Sequence, residues 1–429
     1  MQTPPTTPPA EPGVLYLDNG RVKIGIDLNL GGAITYFAPS GTDRNVVNSH
    51  DWGRQIQMSF YSGPTPFAPN GKQPKPEWAG LGWNPIQSGD VFGNRARVLE
   101  SRSDRRQLSV RSIPMHWPLD NEPSECTFES TIRLDGPVAR VVSRLVNHRV
   151  DKTQYPARDQ ELPAVYTNGP YYHLMTYQGD EPFTGGALSE IQRMPSPGFP
   201  WAGWQATENW AALVDDSGWG LGVYHPGLTH FIGGFSGTPG KGGPKDNPTG
   251  YIAPVQVEIL DHDIVYEYHY DLILGTVAEI RDYVRSQAAR RATPDYRFAR
   301  DRQHWHYDNA IDGGWPIRGE IVVGVDQANP QIVGPDCFFL AAQAPKLRIE
   351  AAFRGAPGTA RVYWKRYDAP TFAPKRSIAF PVPSSRGYTT YMIPLASSPE
   401  FRGAITGLRI DPPGWRPGES IHIRRIAFE

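Results

Sequence analysis

Four short stretches collect the side chains that acid–base chemistry on a polar ligand needs. The first is Asn48-Ser-His50-Asp51-Trp52-Gly-Arg54-Gln55. It falls in a turn just before a strand-like run, where side chains project from a rigid base. His50, Asp51 and Arg54 offer proton transfer and anion stabilisation, and Trp52 offers a stacking face. The competing reading is a salt-bridged turn over a core Trp. The second is Trp83-Asn84-Pro-Ile-Gln87-Ser-Gly-Asp90, at the end of a long loop. An indole packs on the apolar face of a sugar ring while Asn84, Gln87 and Asp90 bind hydroxyls. The competing reading is an Asx turn with structural amides.

The third stretch runs from Tyr155 through Arg158-Asp159-Gln160-Glu161 and Tyr166-Thr-Asn168 to His173. In an extended chain Asp159 and Glu161 share one face and Arg158 and Gln160 the other. Glu161 directly precedes the apolar Leu162–Val165. An apolar wall disfavours the charged carboxylate and raises its pKa, as a general acid requires. Arg158, Tyr166, Asn168 and His173 are candidate substrate contacts, and a surface ion pair of Arg158 with Asp159 or Glu161 is the alternative. The fourth is Trp201-Ala-Gly-Trp204-Gln-Ala-Thr-Glu208-Asn-Trp210. Trp210 heads a strand and reads as core; Trp204, beside glycine, reads as a sugar platform, and Glu208 as a further carboxylate.

His116, Asp120, Glu122, His225, His230 and the Asp261-His262-Asp263 triplet are weaker candidates. A lone histidine is more often structural, and acidic turns at strand ends are common, so no metal is assigned. Serine-hydrolase, zinc-protease, P-loop and dinucleotide fingerprints are all missing from the sequence, and no cofactor is expected.

The elements that must position these residues are mainly strands. Gly is 44 and Pro 43 of 429 residues, and both are poor in helix interiors. Apolar side chains make up 39%, with 12 Trp and 20 Tyr, enough for a large core. Lys+Arg is 43 against Asp+Glu 44, which gives no electrostatic case for nucleic acid or a membrane surface. No apolar run is long enough to span a bilayer. Cys126 and Cys337 lie in no C-x-x-C pattern and are expected as free buried thiols. The Pro/Thr-rich opening lacks the apolar stretch of a signal peptide but resembles the linker that follows one. We therefore expect an exported protein, periplasmic or extracellular.

Residues 1–13 are expected as a flexible arm. A first domain is expected over 14–292, with strand-like runs from Val14–Leu17 to Tyr266–Leu274 and one amphipathic helix over Thr276–Arg291. Residues 293–319 are expected as a connector. From 320 to 429 short strands recur with turn residues between them, as in a small β-sandwich.

The runs Ala360-Arg-Val-Tyr-Trp-Lys, Arg376-Ser-Ile-Ala-Phe-Pro-Val, Tyr388-Thr-Thr-Tyr-Met-Ile-Pro-Leu, Gly403–Pro412 and Ile421–Phe428 resemble the jelly-roll modules that accompany bacterial polysaccharide-degrading enzymes. That resemblance implies a carbohydrate-binding or structural accessory domain. The opening strand pair, Gly31-Gly32-Ala33-Ile34, the many strands and the late single helix resemble the galactose-mutarotase-like β-supersandwich. This fold hosts mutarotases, glycoside hydrolases and polysaccharide lyases, so it narrows substrate class more than reaction.

The leading expectation is a glycoside hydrolase with two carboxylic acids, Glu161 as general acid and Asp51, Asp90 or Glu208 as the second, acting on a carbohydrate substrate. A polysaccharide lyase is the alternative, with a base among Tyr155, Tyr166, His50 and His173 and a neutralising Arg54 or Arg158. A non-catalytic glycan-binding or epimerase-like protein is the third.

Overall fold

A computed structural model describes residues 13–192, 201–287, 293–325, 327–383, 387–414, 416 and 418–429. The expected flexible arm, apart from Gly13, and the last residues of the expected helix lie outside them.

The chain is mostly β, and every described strand pairing is antiparallel. The first half builds two large sheets. One runs in the order Val14–Asp18, Val22–Asp27, Ala33–Pro39, Ile56–Ser59, Arg158–Asn168, Thr249–Glu258, His230–Ser236, Trp201–Gln205. The other is centred on Val265–Thr276, between Val138–Val146 and Trp219–Tyr224. Side chains alternate across each strand. One set from each sheet therefore meets in a shared core: Ile24, Phe37, Val165, Phe231 and Ile252 face Phe128, Val141, Leu213, Val223 and Leu272.

The helix spans Val277–Gln287. It opens with a capping box in which Glu279 accepts from the Thr276 backbone N–H at 2.8 Å and Thr276 Oγ1 accepts from that of Glu279 at 3.3 Å. Ile280 and Val284 pack on the outer face of the second sheet against Trp210, Ala212 and Ile273. Gly222 permits that approach, since a Cβ there would lie 2.5 Å from Ile280 Cγ2.

The second half forms two six-stranded sheets around their own core, with Ile349, Trp364, Ile410, Ile423 and Phe428 at its centre. Residues 293–319 do more than connect. Asp295–Arg297, His306–Asp308 and Ile311–Asp312 pair into these two sheets, and Phe298, Trp305 and Tyr307 enter their core. Strands of two and three residues are too short to show a period, which is why the stretch reads as irregular. Cys126 and Cys337 are free, the first buried and the second partly so.

Packing and charge join the halves. Ile259 belongs to the second core, and Trp315 packs against both. Asp261, from the acidic triplet, meets Arg302 at 2.5 Å, and Asp312 holds the same guanidinium at 2.5 Å. Asp261 and Arg302 are buried, and the Asp312 side chain is 7% exposed. Removing one member of a buried ion cluster strands the others without compensation, at a cost of about 3–5 kcal/mol. Arg302→Ala should therefore lower the thermal unfolding midpoint by a loss of that size. A change under about 1 kcal/mol would show that the cluster does not hold the halves together.

Candidate functional site

Strand alternation decides which polar groups reach solvent from the first sheet. On its four central and edge strands, Leu162, Val165, Trp204, Phe231 and Ile252 point into the core. The opposite face carries Ala164, Tyr166, Trp201, Ile232, Tyr251, Ala253 and Val255 as a second, smaller apolar cluster. A register shift between Glu161 and Val165 adds a residue to the Arg158–Asn168 strand. That bulge lets Glu161, Ala164 and Tyr166 share the outer face.

Three aromatic rings lie in a row there. Tyr166 stands opposite Tyr251, and Gly234, with no side chain, is opposite both Tyr251 and Trp201. Ring centroids are 4.7 Å apart for Tyr166–Tyr251 and 4.9 Å for Trp201–Tyr251. Tyr251 is buried between its two neighbours, and Tyr166 and Trp201 line the cleft and offer apolar stacking area to a flat ligand.

Glu161 sits at this floor, partly exposed to the cleft. Its Oε2 accepts a hydrogen bond from the Tyr61 hydroxyl at 2.9 Å, and its Oε1 accepts from the Tyr251 hydroxyl. Burial pushes its pKa up; the two hydroxyls pull it down and Asp159 pushes it up again, and the net shift is upward. The burial comes from the sheet face and not from the residues that follow Glu161 in sequence, since Leu162 and Val165 face the other way. Tyr61, Tyr166 and Tyr251 are each held further from ionisation, chiefly by burial and next by the Glu161 charge.

The walls come from loops. The Pro76–Leu81 turn carries Trp78, whose ring meets Trp117 edge-on at 6.0 Å. Arg158 pins that turn, donating to the Leu81 carbonyl at 2.7 Å and the Gly80 carbonyl at 3.3 Å. Asp51 pairs with Arg54 at 3.1 Å, and Arg54 also donates to Asn247 Oδ1 at 2.9 Å. Asn84 donates to the Phe60 carbonyl at 2.9 Å, while its Oδ1 has no hydrogen-bond partner among the described residues. Together with Asp159 and His230 these residues enclose a cleft of ≈ 800 Å³, within the range of about 300–1,000 Å³ usual for small-molecule sites.

Of the residues singled out from sequence, the structure brings together Glu161, Asp51, Arg54, Asn84, Arg158 and Tyr166. The others lie elsewhere, for definite reasons. Asp90 is fully buried and organises a turn, accepting from the backbone N–H groups of Phe92, Asn94 and Asn121. Glu208, 1% exposed, is held by both Arg281 Nε and Nη2 at 3.0 and 2.9 Å and by the Trp210 indole. It serves the helix on the far sheet. His50 is spent on the Lys245 carbonyl at 2.7 Å. Trp52 lies against Gly89, where a Cβ would sit 2.4 Å from its ring. Trp83 and Trp204 are core. Gln87 bridges the Met58 N–H and the Gly31 carbonyl, and Asn168 donates to the Asn45 carbonyl. His173 is on the other sheet, where Glu190 and Asp216 outweigh burial and raise its pKa.

Sequence reading missed Tyr61, Tyr251, Trp78, Trp117 and Trp201 and set His230 aside. One signal was available. Trp201 and Trp204 are three apart in a strand and so face opposite ways, and Phe231, opposite Trp204, belongs to an apolar run.

No protein-family model matches the chain, and no curated protein matches it. Its structure is similar to that of a putative aldose 1-epimerase from Escherichia coli K12, with 11% identity over 62% of this chain and 99% of that one and a TM-score of 0.38. A galactose mutarotase related enzyme from Lactobacillus acidophilus matches with 11% identity over 61% and 97%, TM-score 0.39. The 4-alpha-glucanotransferase of Thermococcus litoralis matches with 10% identity over 62% and 38%, TM-score 0.35. Likeness at this level carries no argument about activity.

Two stability measurements separate site from scaffold. Folding raises the Glu161 pKa, so its contribution to stability is complete below the ordinary carboxylate value of about 4.3 and is lost as pH rises through the folded value. The melting point of Glu161→Gln relative to the parent should therefore climb with pH across that window; a falling difference contradicts the assignment. Glu208→Ala strands the partly buried Arg281 and should cost about 3 kcal/mol in thermal unfolding. A cost under about 1 kcal/mol would show that Arg281 is adequately solvated without its partner.

Proposed function

We propose that the protein hydrolyses glycosidic bonds in a neutral glycan, with Glu161 as the proton donor. The observation that carries this is a single carboxyl, raised in pKa by burial, on an aromatic floor in an open cleft that holds two more carboxylates, Asp51 and Asp159. A sugar stacked on Tyr166 or Trp201 presents its linking oxygen to the polar wall. Glu161 gives its proton to that oxygen as the anomeric C–O bond breaks. Asp51 or Asp159 either takes a proton from the water that adds to the anomeric carbon or attacks that carbon itself, forming a glycosyl ester that water then cleaves as Glu161 takes the water's proton. The separation between the acting oxygens, about 5–5.5 Å or 6.5–9.5 Å, decides between retention and inversion.

Two features favour hydrolysis over a lyase reaction. A lyase with a tyrosine base needs that hydroxyl ionised, and Tyr61, Tyr166 and Tyr251 are all pushed away from the ionised form. It also needs a cation for the uronate carboxylate, whereas Arg158 is committed to loop carbonyls and Arg54 to Asp51 and Asn247. A second reading has its own support: His230 lines the same cleft as Glu161, and such a pair can move protons between the ring oxygen and the anomeric hydroxyl of a free sugar, as in an epimerase.

Incubation with neutral oligosaccharides should release new reducing ends, and Glu161→Gln should reduce the rate by about 10²–10⁴. Ultraviolet absorbance from an unsaturated uronate would favour the lyase. A change in optical rotation without new reducing ends would favour the epimerase-like reaction, and unchanged turnover in Glu161→Gln would remove Glu161 from the chemistry.

A further inference from the structure

The Glu161 cleft does not end at the first sheet. Asp159, His230 and Val255 line it and also line an adjoining cavity of ≈ 360 Å³. The far wall of that cavity belongs to the C-terminal sandwich and includes His306, Asp336, Lys365, Tyr367 and Thr406. The two spaces thus adjoin at these three residues, and the second reaches from the first half of the chain onto the C-terminal sandwich.

The adjoining cavity is lined by polar residues from both halves of the chain, Thr229 from the first and His306 and Thr406 from the second. Gln205 and Gln256 add amides on the near wall, and Tyr367 adds an aromatic face. Acidic and basic side chains are mixed, so the wall selects for hydroxyls and not for net charge.

We propose that the C-terminal sandwich forms a second subsite of the same groove, holding sugar units of a neutral glycan beyond the one cleaved at Glu161. This rests on the hydrolase reading and extends it: the substrate is an oligomer or polymer whose chain runs from the aromatic floor past Asp159 and His230 to Thr406 and Tyr367. The sandwich then contributes contacts to substrate that the first half of the chain lacks.

The test uses the full chain carrying Glu161→Gln, so that bound glycan is not turned over. The probes are hexasaccharides and disaccharides of β-1,4-linked glucose, xylose and mannose and of α-1,4-linked glucose. Hydrogen exchange should slow in two places with a bound hexasaccharide, the Thr249–Glu258 strand and the C-terminal strands Gln331–Val333 and Ala404–Asp411. Tyr367→Ala should lower the preference for hexasaccharide over disaccharide by about tenfold, or 1.4 kcal/mol. Thr406→Val, which keeps side-chain volume, should lower it in the same direction. Protection confined to the first strand, with both variants keeping the parent preference, overturns the second subsite and leaves the hydrolase reading standing. Protection at neither place with any probe overturns both.

Discussion

The Glu161 carboxyl is the group on which the outer face of the first sheet depends. A carboxylate taken from water into protein loses several kcal/mol of solvation, and each hydrogen bond to a charged group returns about 1.5–3 kcal/mol. Tyr61 and Tyr251 supply two such bonds, and the pKa of Glu161 is still shifted upward by burial. Both hydroxyls arrive through strand register. Tyr251 comes from the neighbouring Thr249–Glu258 strand, and Tyr61 follows the Ile56–Ser59 strand on the other side. A shift of one residue in either pairing would turn the tyrosines into the core and leave the carboxyl bare. The bulge after Glu161 is part of the same constraint, since without it Glu161 and Tyr166 would face opposite sides.

Much of this was legible in the sequence, though for partly mistaken reasons. Glu161 stands out in the sequence because apolar residues follow it, yet Leu162 and Val165 face the other side of the sheet. Its acidity is set by strands distant in sequence, which no local reading shows. Strand runs such as Leu108–Ile113 and Ser420–Phe428 were readable because alternation and turn residues are local properties. The Thr249–Glu258 strand was only half readable. It is buried on both faces over most of its length, so its pattern is continuous rather than alternating. Trp204 was chosen over Trp201 for its glycine neighbour, whereas parity along the strand decides which indole reaches the cleft. Glu208 and Asp90 illustrate a general ambiguity. A carboxylate near aromatic residues has the same appearance in sequence whether it serves a substrate or, as here, a guanidinium and a set of turn amides.

The two halves of the chain bear on one another through the same strands. Thr249–Glu258 contributes Val255 to the cleft and the Tyr251 hydroxyl to Glu161, and runs on to Ile259 and Asp261, which enter the second core and the Arg302 cluster. The floor of the cleft and the anchorage of the C-terminal sandwich are therefore consecutive stretches of one chain segment. That continuity gives the sandwich a fixed place beside Asp159 and His230, which a module tethered only by a loop would lack.

The most direct test of the central claim is a crystal structure of the Glu161→Gln protein with a bound neutral hexasaccharide. The account predicts a sugar ring on Tyr166 or Trp201, with a glycosidic oxygen within hydrogen-bond reach, about 2.6–3.2 Å, of the side chain at position 161. A glycan bound in the cleft with position 161 touching only ring hydroxyls, or a glycan seated elsewhere, would contradict it.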